Sequence, residues 1–307
     1  VSKGELKKSL ENGIPPGKIV FSGVGKTKEE IAYALKKKIK QINVESEEEL
    51  SEVADLSCLQ KKKVHICVRV NPDIDPKTHF KISTGKSEDK FGIPNSRVEK
   101  LFEKFKNHKY MKMVGLSIHI GSQIQKLKPF EHAFKKVAKQ ISFLKKLGFE
   151  IQILDLGGGI GIRYLKNDKI INLNEYCNLI ENIFSNHNLN IIIEPGRSLV
   201  GSSGILLSSV IRKKKGENKN FIIVDAGMNN LIRPAMYDAK HEIFPVKKNN
   251  SKKNRYEFVG PICESSDIFL KNYLTQNLDK NDLIIICSTG AYGACMSSDY
   301  NLRGRTK

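Results

Sequence analysis

A glycine-rich turn follows an apolar run in the middle of the chain, where residues 153–161 read Ile-Leu-Asp-Leu-Gly-Gly-Gly-Ile-Gly. Consecutive glycines let backbone N–H groups come close to a phosphate, but they also serve tight turns that need positive φ. No Gly-Lys-Ser/Thr follows, which excludes a Walker loop, and the third glycine position of a dinucleotide fingerprint holds Ile162 or Tyr164. Three glycines at the carboxyl end of a strand favour a phosphate site.

A second group of polar residues, Glu194-Pro195-Gly196-Arg197, follows a fully apolar run. The preceding strand would remove the Glu194 carboxylate from water, so the acid could face a cationic ring nitrogen while Arg197 faces an anion. A buried structural pair between the same two side chains is the alternative, and such pairs are common.

A histidine and a cysteine lie beside residues that would suit a cofactor site. His119 ends an apolar run and is followed by Gly121 and Ser122. A lone histidine there is more often a core residue, but this setting also suits a ring stacked on a cofactor. Cys263 stands next to Glu264 in a loop, where the alternative is a half-buried, inert thiol. Each signal is weak by itself.

The charge balance does not predict nucleic-acid binding. The chain has 52 Lys and Arg against 33 Asp and Glu, a net charge of +19, but 43 of the basic residues are lysines in short runs such as 61–63. Zinc-knuckle spacing, aromatic–basic stacking motifs and arginine-dense helices are missing from the sequence, so the pattern favours solvated surface. With only nine arginines, each one within a motif is informative, because a guanidinium can bind a carboxylate or phosphate through two parallel hydrogen bonds.

The remaining composition predicts a globular protein of the cytoplasm. No apolar run approaches the roughly 18 residues of a membrane-spanning helix, so we expect no membrane partner. Six cysteines without a CxxC pair or metal-ligand spacing fit a reducing compartment and predict no metal site.

The elements that would position these residues are alternating strands and helices. Apolar runs predict strands at 18–21, 42–44, 64–70, 114–120, 151–156 and 191–193, and helix-period stretches predict helices at 28–38, 47–59, 97–107, 130–147 and 174–187. Such alternation is typical of parallel strands covered on both faces, in a doubly wound sheet or a barrel. Polar or glycine-rich residues follow nearly every strand, which favours a (β/α)8 TIM-type barrel over a single switch point. Six strands and a first residue that is not Met predict that the first strands are missing.

The character changes after residue 203, where short strands at 205–212, 221–224, 256–259 and 283–287 are joined by polar loops. This spacing predicts a mostly antiparallel β domain. We therefore expect an N-terminally incomplete barrel domain over residues 1–203 and an incomplete β domain over residues 204–307.

Taken together and in order, these motifs resemble the fold-type III pyridoxal-phosphate decarboxylases, and within them the branch that acts on meso-diaminopimelate. The resemblance runs through essentially the whole chain. The motifs that carry it are Ser83–Lys86, Lys90–Ile93, His119–Gln123, Asp155–Gly161, Glu194–Ser198, Val224–Asn229, Arg233–Tyr237, Cys263–Asp267 and Met296–Ser298.

The resemblance implies a barrel followed by a β domain, with pyridoxal 5'-phosphate as the cofactor. The implied reaction removes one carboxylate of meso-diaminopimelate to give L-lysine and CO2, the last step of lysine biosynthesis. By the same resemblance, Glu194 pairs with the pyridine nitrogen, His119 stacks on the ring, and Tyr292 closes over the cofactor. The phosphate would be held by Ser122 and by the N–H groups of Gly157, Gly158 and Gly159.

The resemblance also implies how the substrate is held. Arg197, Arg233 and Tyr237 would bind a substrate carboxylate, with Tyr292 beside them. In a homodimer with shared active sites, Cys263 of the partner would donate a proton to the substrate and Glu264 of the partner would recognise its distal ammonium. Lys90 and Asp267 resemble an ion pair across that interface.

One departure affects activity. The family's Schiff-base lysine lies on the first barrel strand, and none of the 43 lysines here stands in such a setting. We therefore expect the chain alone to be inactive. A decarboxylase for ornithine, arginine or carboxynorspermidine is one alternative, although Cys263-Glu264 together with Arg233 favours a substrate with a second carboxylate. A non-catalytic paralogue without the lysine is the other.

Overall fold

The computed structural model describes residues 1–76, 78–82, 84, 85 and 88–306. The chain divides into two compact units. The first unit contains Val1–Gly159 and Ile171–Pro195, and the second contains Ile160–Ile170 and Gly196–Lys307. The predicted domain boundary between residues 203 and 204 stays a prediction.

The first unit consists of a parallel sheet with helices between successive strands. Its strands are β1 (Val20–Phe21), β2 (Gln41–Val44), β3 (Val64–Asn71), β4 (Ile93–Pro94), β5 (Met111–Ser117), β6 (Ile153–Asp155) and β7 (Asn190–Ile192). Its helices are α1 (Lys3–Glu11), α2 (Lys28–Lys37), α3 (Glu47–Gln60), α4 (Asn95–Phe105), α5 (Leu127–Lys146) and α6 (Leu173–Phe184).

The strand order β1-β2-β3-β5-β6-β7, with β4 beside β3, follows the chain, and every pairing is parallel. Apart from the short β4, each strand therefore lies beside the preceding strand of this order after a helical crossover, as the strands of a barrel do. This arrangement confirms the predicted α/β class with its parallel, barrel-type sheet. Because the strands are parallel, their carboxyl ends lie along one edge, and the polar residues that follow them are brought together there.

Local sequence explains where the helices begin and end. Helix α2 begins with a capping box, in which Thr27 Oγ1 accepts from the Glu30 N–H at 3.3 Å and Glu30 Oε2 accepts from the Thr27 N–H at 3.0 Å. Helix α5 ends at Lys146, and Gly148 follows with a φ of +88°. The predicted helices agree with α2 to α6 to within about three residues at each end, whereas α1 was not predicted.

The second unit contains a six-stranded sheet, as predicted for a mostly antiparallel β domain. Its order is β10-β13-β8-β9-β11-β12, and only the pair of β9 and β11 is parallel. The elements are α7 (Gly196–Val200), β8 (Leu206–Lys215), β9 (Asn220–Val224), α8 (Arg233–Tyr237), β10 (Ile243–Pro245), β11 (Asn254–Val259), β12 (Ile268–Thr275) and β13 (Leu283–Ile286). A core that includes Val210, Ile222, Phe258 and Ile284, each fully buried, holds the sheet together. Strands β10 and β12 were not predicted.

None of the described helices is both long and apolar enough to cross a membrane.

Candidate active site

Two carboxyl groups meet at the carboxyl ends of β6 and β7 in the first unit. Asp155, the last residue of β6, is fully buried. Its Oδ2 accepts a hydrogen bond from Asn43 Nδ2 at 2.7 Å, and its Oδ1 accepts from the Gly157 N–H at 2.9 Å. Asn43 lies on β2 and also donates to Ser22 Oγ at 3.0 Å, so one buried amide connects the ends of three strands.

Glu194 follows β7 and is fixed by the glycine turn, because its N–H donates to the Gly157 carbonyl at 2.7 Å. Ser22 Oγ donates to Glu194 Oε1 at 3.5 Å. Glu194 is exposed as a residue, contrary to the expectation that the strand removes it from water. Neighbouring groups nevertheless restrict the hydration of its carboxyl, and this effect first, then the charge of Asp155, raises the pKa of Glu194 to about 7. Burial also raises the pKa of Asp155. The two carboxyls are therefore suited to hold a proton between them near neutral pH.

The glycine turn is shaped by close approaches that only glycine permits. Gly157 and Gly159 have φ values of +65° and +106°. At Gly158 a Cβ would lie 2.1 Å from the Glu194 carbonyl oxygen. The N–H groups of Gly157 and Gly158 already donate to Asp155 and His119. Of the three glycine N–H groups predicted to bind the phosphate, only that of Gly159 has no acceptor among the described residues. In this structure the turn therefore offers a phosphate one N–H donor, not three.

His119 lies two residues beyond the end of β5 and is oriented by the same turn. Its Nδ1 accepts from the Gly158 N–H at 3.0 Å, so the neutral ring carries its proton on Nε2. Burial, and next the charge of Arg69, lower the pKa of His119 to about 4. The ring is thus neutral at physiological pH, and a cofactor ring could stack on it without a charge.

A buried ion pair supports the backbone of His119. Arg69, on β3, donates from Nη1 to Glu45 Oε1 at 2.7 Å and from Nη2 to the His119 carbonyl at 3.4 Å. Thr84 Oγ1 donates to the same carbonyl at 2.8 Å. The sequence motifs assigned no role to Arg69 or Glu45.

In the second unit, two buried arginines share one tyrosine. Arg197 and Arg233 expose 7% and 3% of their surface. Their guanidinium carbons lie 5.8 and 4.5 Å from the centre of the Tyr164 ring, and Arg197 Nη1 donates to Tyr164 Oη at 2.5 Å. Among the described residues, the buried Nε of Arg233 has no hydrogen-bond acceptor. Two neighbouring buried positive charges form a site that favours an anion.

Two predicted substrate residues lie close to these arginines. Tyr292, 42% exposed, has a φ of +61°, and its ring centre lies 4.9 Å from the Arg197 guanidinium carbon. Tyr237 ends α8, the short helix that Arg233 begins, and is half-buried. The structure therefore brings the predicted carboxylate-binding residues Arg197 and Arg233 together with Tyr292.

The loop between β11 and β12 exposes both of its predicted functional residues. Cys263 and Glu264 are solvent-exposed, so the alternative of a half-buried thiol is wrong. Tyr300 Oη donates to Glu264 Oε1 at 2.8 Å. Asp267 in contrast is buried, and its two oxygens accept from the N–H groups of Met228 and Ile262 at 2.7 and 2.8 Å.

The other predicted residues lie shortly before β4 or shortly after β5. Ser122 is half-buried and its N–H donates to the Ile82 carbonyl at 3.1 Å. Lys90 is exposed, with its Nζ 5.5 Å from the centre of the Phe91 ring. Ser83 and Lys86 of the predicted Ser83–Lys86 motif lie outside the described residues.

Three residues of these clusters were missed by sequence reasoning, namely Asn43, Tyr164 and His241. Asn43 is one of two polar residues in the fully buried strand β2, a signal that could have been read, since buried polar groups need partners. His241 donates from Nδ1 to the Cys287 carbonyl at 2.7 Å and accepts from Arg233 Nη1 at its Nε2 at 2.8 Å. Tyr164 and His241 stand alone in loops and gave no pattern to recognise.

Comparison with known proteins finds one family model and many relatives that match this chain. A family model described as "Pyridoxal-dependent decarboxylase, pyridoxal binding domain" matches residues 1–201. The diaminopimelate decarboxylase of Zymomonas mobilis subsp. mobilis is 44% identical over 305 residues, which are 99% of this chain and 72% of that protein. The diaminopimelate decarboxylase of Aquifex aeolicus is 42% identical and is covered to 73% by 99% of this chain.

Solved structures show the same relationship. Diaminopimelate decarboxylase from Helicobacter pylori, crystallised with L-lysine, matches 99% of this chain and 76% of its own length at a TM-score of 0.95 and 44% identity. The M. jannaschii enzyme, also with L-lysine, matches 99% of this chain and 72% of its own at a TM-score of 0.93 and 37% identity. The chain therefore belongs to the pyridoxal-dependent decarboxylases and, within them, to the diaminopimelate decarboxylase family.

Proposed function

We propose that this protein removes one carboxylate of meso-diaminopimelate and releases CO2 and L-lysine, with pyridoxal 5'-phosphate as its cofactor. The identity of 41–44% to diaminopimelate decarboxylases over 99% of the chain supports the reaction. The observation that carries the choice of substrate is the pair of buried guanidiniums, Arg197 and Arg233, which suits a substrate that still has a carboxylate after the other has left.

The residues of the first unit fit the cofactor. A pyridine nitrogen needs a partner that can exchange a proton with it near neutral pH, and Glu194, with a pKa of about 7, meets that need. The neutral ring of His119 offers a flat face for stacking. The Gly159 N–H offers a donor for the phosphate in a turn where Gly157 and Gly159 adopt positive φ, and we assign Ser122 to the phosphate as well.

When bound, pyridoxal phosphate supplies the electron sink that accepts the electron pair left by departing CO2. The protein tunes that sink through Glu194, which in its ionised form holds the proton of the ring nitrogen in place. Asp155 adds negative charge behind Glu194, and Asn43 and the Gly157 N–H keep Asp155 oriented. Arg197 and Arg233, with Tyr237 and Tyr292, orient the substrate by binding its carboxylate.

We further propose a homodimer in which each chain lends Cys263 and Glu264 to its partner's site. Both side chains are exposed in the loop between β11 and β12 and could be offered to a second copy. Cys263 Sγ would then deliver a proton to the substrate, and Glu264 would bind its distal ammonium. The Lys90–Asp267 pair stays a prediction, and it would have to compete with the two N–H donors that hold Asp267.

We assign the protein to the cytoplasm, because all six cysteines are free thiols in the structure.

The test is CO2 release from meso-diaminopimelate, ornithine and arginine, measured on the natural gene product with pyridoxal phosphate. We expect release from meso-diaminopimelate with L-lysine as the product, and at least about 100-fold slower release from the two substrates with a single carboxylate, which leave the buried guanidiniums unpaired. Comparable rates for ornithine or arginine would contradict the substrate. No release from any of them would favour a non-catalytic paralogue.

A further inference from the structure

Arg233 is held by a neutral acceptor. It begins α8 in the second unit, and its Nη1 donates to His241 Nε2 at 2.8 Å. No carboxylate of the described residues lies within ion-pair distance of Arg233, although the side chain is 97% buried. A buried guanidinium is normally neutralised by an acid, because an unpaired charge is costly to remove from water. Here its charge is left uncompensated.

The tautomer of His241 is fixed by its other ring nitrogen. A carbonyl oxygen can only accept, so the 2.7 Å contact between Nδ1 and the Cys287 carbonyl is an Nδ1–H donor bond. In the neutral ring Nε2 then has only its lone pair, which faces the Arg233 N–H. Burial lowers the pKa of His241 to about 4, and the nearby charges of Arg233 and Arg197 lower it too. The ring therefore stays an uncharged acceptor at neutral pH.

We propose that His241 is a positioning residue that orients Arg233 without neutralising it, and thereby reserves its charge for the carboxylate of the substrate. The inference rests on the proposed function. It assigns to His241 a role that Asp or Glu could not fill, because an acid at this position would form an ion pair with Arg233 and occupy the donors that the substrate needs. His241 is fully buried and contacts Arg233, the Tyr164 ring in a T-shaped arrangement and the Cys287 carbonyl.

Substituting His241 by Gln and by Glu separates charge from shape. Both side chains place an oxygen where Nε2 now accepts, but only Glu brings a negative charge. The probe is binding of L-lysine to the 307-residue chain, compared with 1,5-diaminopentane, which is lysine without its carboxylate. Calorimetry reports affinity, and the thermal unfolding midpoint reports whether each variant is folded.

We expect the unaltered chain to bind L-lysine more tightly than 1,5-diaminopentane. His241→Gln should keep that preference to within about threefold, while His241→Glu should weaken L-lysine binding at least about tenfold, about 1.4 kcal/mol. The affinity for 1,5-diaminopentane should not fall in either variant. Equal L-lysine binding by folded Gln and Glu variants would overturn the inference, and so would an unaltered chain that does not prefer L-lysine.

A purely structural role predicts a different pattern, in which His241→Gln and His241→Glu lose stability and binding in parallel. If the Glu variant is unfolded, Arg233→Gln serves as the second variant, and it should abolish the preference for L-lysine in a folded chain. A retained preference in that variant would also overturn the inference. The proposed function is decided separately by CO2 release from the natural gene product, so either can fail while the other stands.

Discussion

The carboxyl pair of Asp155 and Glu194 places two groups with raised pKa values side by side at the carboxyl ends of β6 and β7. Asp155 is closed off from solvent, whereas Glu194 is open to it at the end of β7. This difference assigns the two acids different tasks. Asp155 is held in place by hydrogen bonds from Asn43 and from the Gly157 N–H, and we propose Glu194 as the group that exchanges a proton with a ligand.

We predict that Asp155→Asn lowers the pKa of Glu194 by about 1 or more from its value near 7, toward the ordinary 4.5, because it removes a neighbouring negative charge. The measurement is a carbon NMR titration of glutamate-labelled chain, in which the resonance missing from Glu194→Gln identifies the residue. Asp279→Asn, at an exposed acid paired with Lys213, is the control. An unchanged Glu194 titration in Asp155→Asn would contradict the coupling.

The raised pKa of Glu194 in the folded chain also affects the stability of the fold. Folding raises the pKa of Glu194, so the folded state holds its proton more tightly than the unfolded chain does. The contribution of this carboxyl to stability is therefore most favourable below about pH 4.5 and falls as the pH rises to about 7. Because Glu194 is exposed to solvent, the effect is small, and Asp155→Asn should reduce it further.

At the scale of elements, the spacing of apolar residues predicted most of the helices and strands. It missed elements that have few buried residues or whose apolar residues are interrupted by polar ones. Strands such as β13 are continuous apolar runs, and helices such as α5 place buried residues three and four apart. Helix α1 was missed because Leu6 is its only buried residue. Strand β12 was missed because Lys271 and Asn272 interrupt its apolar residues.

The candidate site was predicted to the extent that it lies in motifs. Glu194, His119 and the glycine turn follow directly after strands, and a barrel gathers such residues at one edge. Hydrogen-bond partners distant in the chain could not be predicted, since Asn43 and Asp155 are 112 residues apart. Nor could the sequence indicate that the N–H groups of Gly157 and Gly158 donate to Asp155 and His119.

The close packing of the glycine turn against the residues after β7 leads to a prediction about the stability of the chain. Gly158 lacks a positive φ, so Gly158→Ala is purely a steric change, in which the new Cβ would lie 2.1 Å from the Glu194 carbonyl oxygen. We expect a loss of about 1–3 kcal/mol in unfolding free energy, because the turn or the residues after β7 must move. Urea unfolding followed by far-UV circular dichroism is the measurement, as the chain has no Trp.

Gly17→Ala is the matched control for this change. Gly17 also lacks a positive φ, and a Cβ there would meet nothing within 4 Å. We expect its unfolding midpoint to stay close to that of the unaltered chain. If Gly158→Ala unfolded at the same urea concentration as Gly17→Ala, the close packing of the turn against Glu194 would not be what requires a glycine.

At the scale of the whole molecule, catalysis by the 307-residue chain depends on whether one of its lysines can form a Schiff base with the cofactor. A Schiff-base lysine must present an uncharged amine to the cofactor. Among the described lysines, only Lys26 is buried. Its Nζ lies 2.7 Å from Glu49 Oε1 and donates to the carbonyls of Gly23 and Asn43 at 2.5 and 2.9 Å. All of its donors are committed to structure, so Lys26 is an anchor for the residues after β1.

We therefore predict that the 307-residue chain, mixed with an equimolar amount of pyridoxal phosphate and treated with borohydride, is not labelled stoichiometrically at any one lysine. It should also release no CO2 from meso-diaminopimelate. Labelling spread thinly over exposed lysines is expected, because 43 lysines compete for the aldehyde. Peptide mass spectrometry locates the label, and Lys26→Met provides a chain without the buried amine. One lysine labelled to completion, with CO2 release that its substitution abolishes, would show that this chain supplies its own Schiff base.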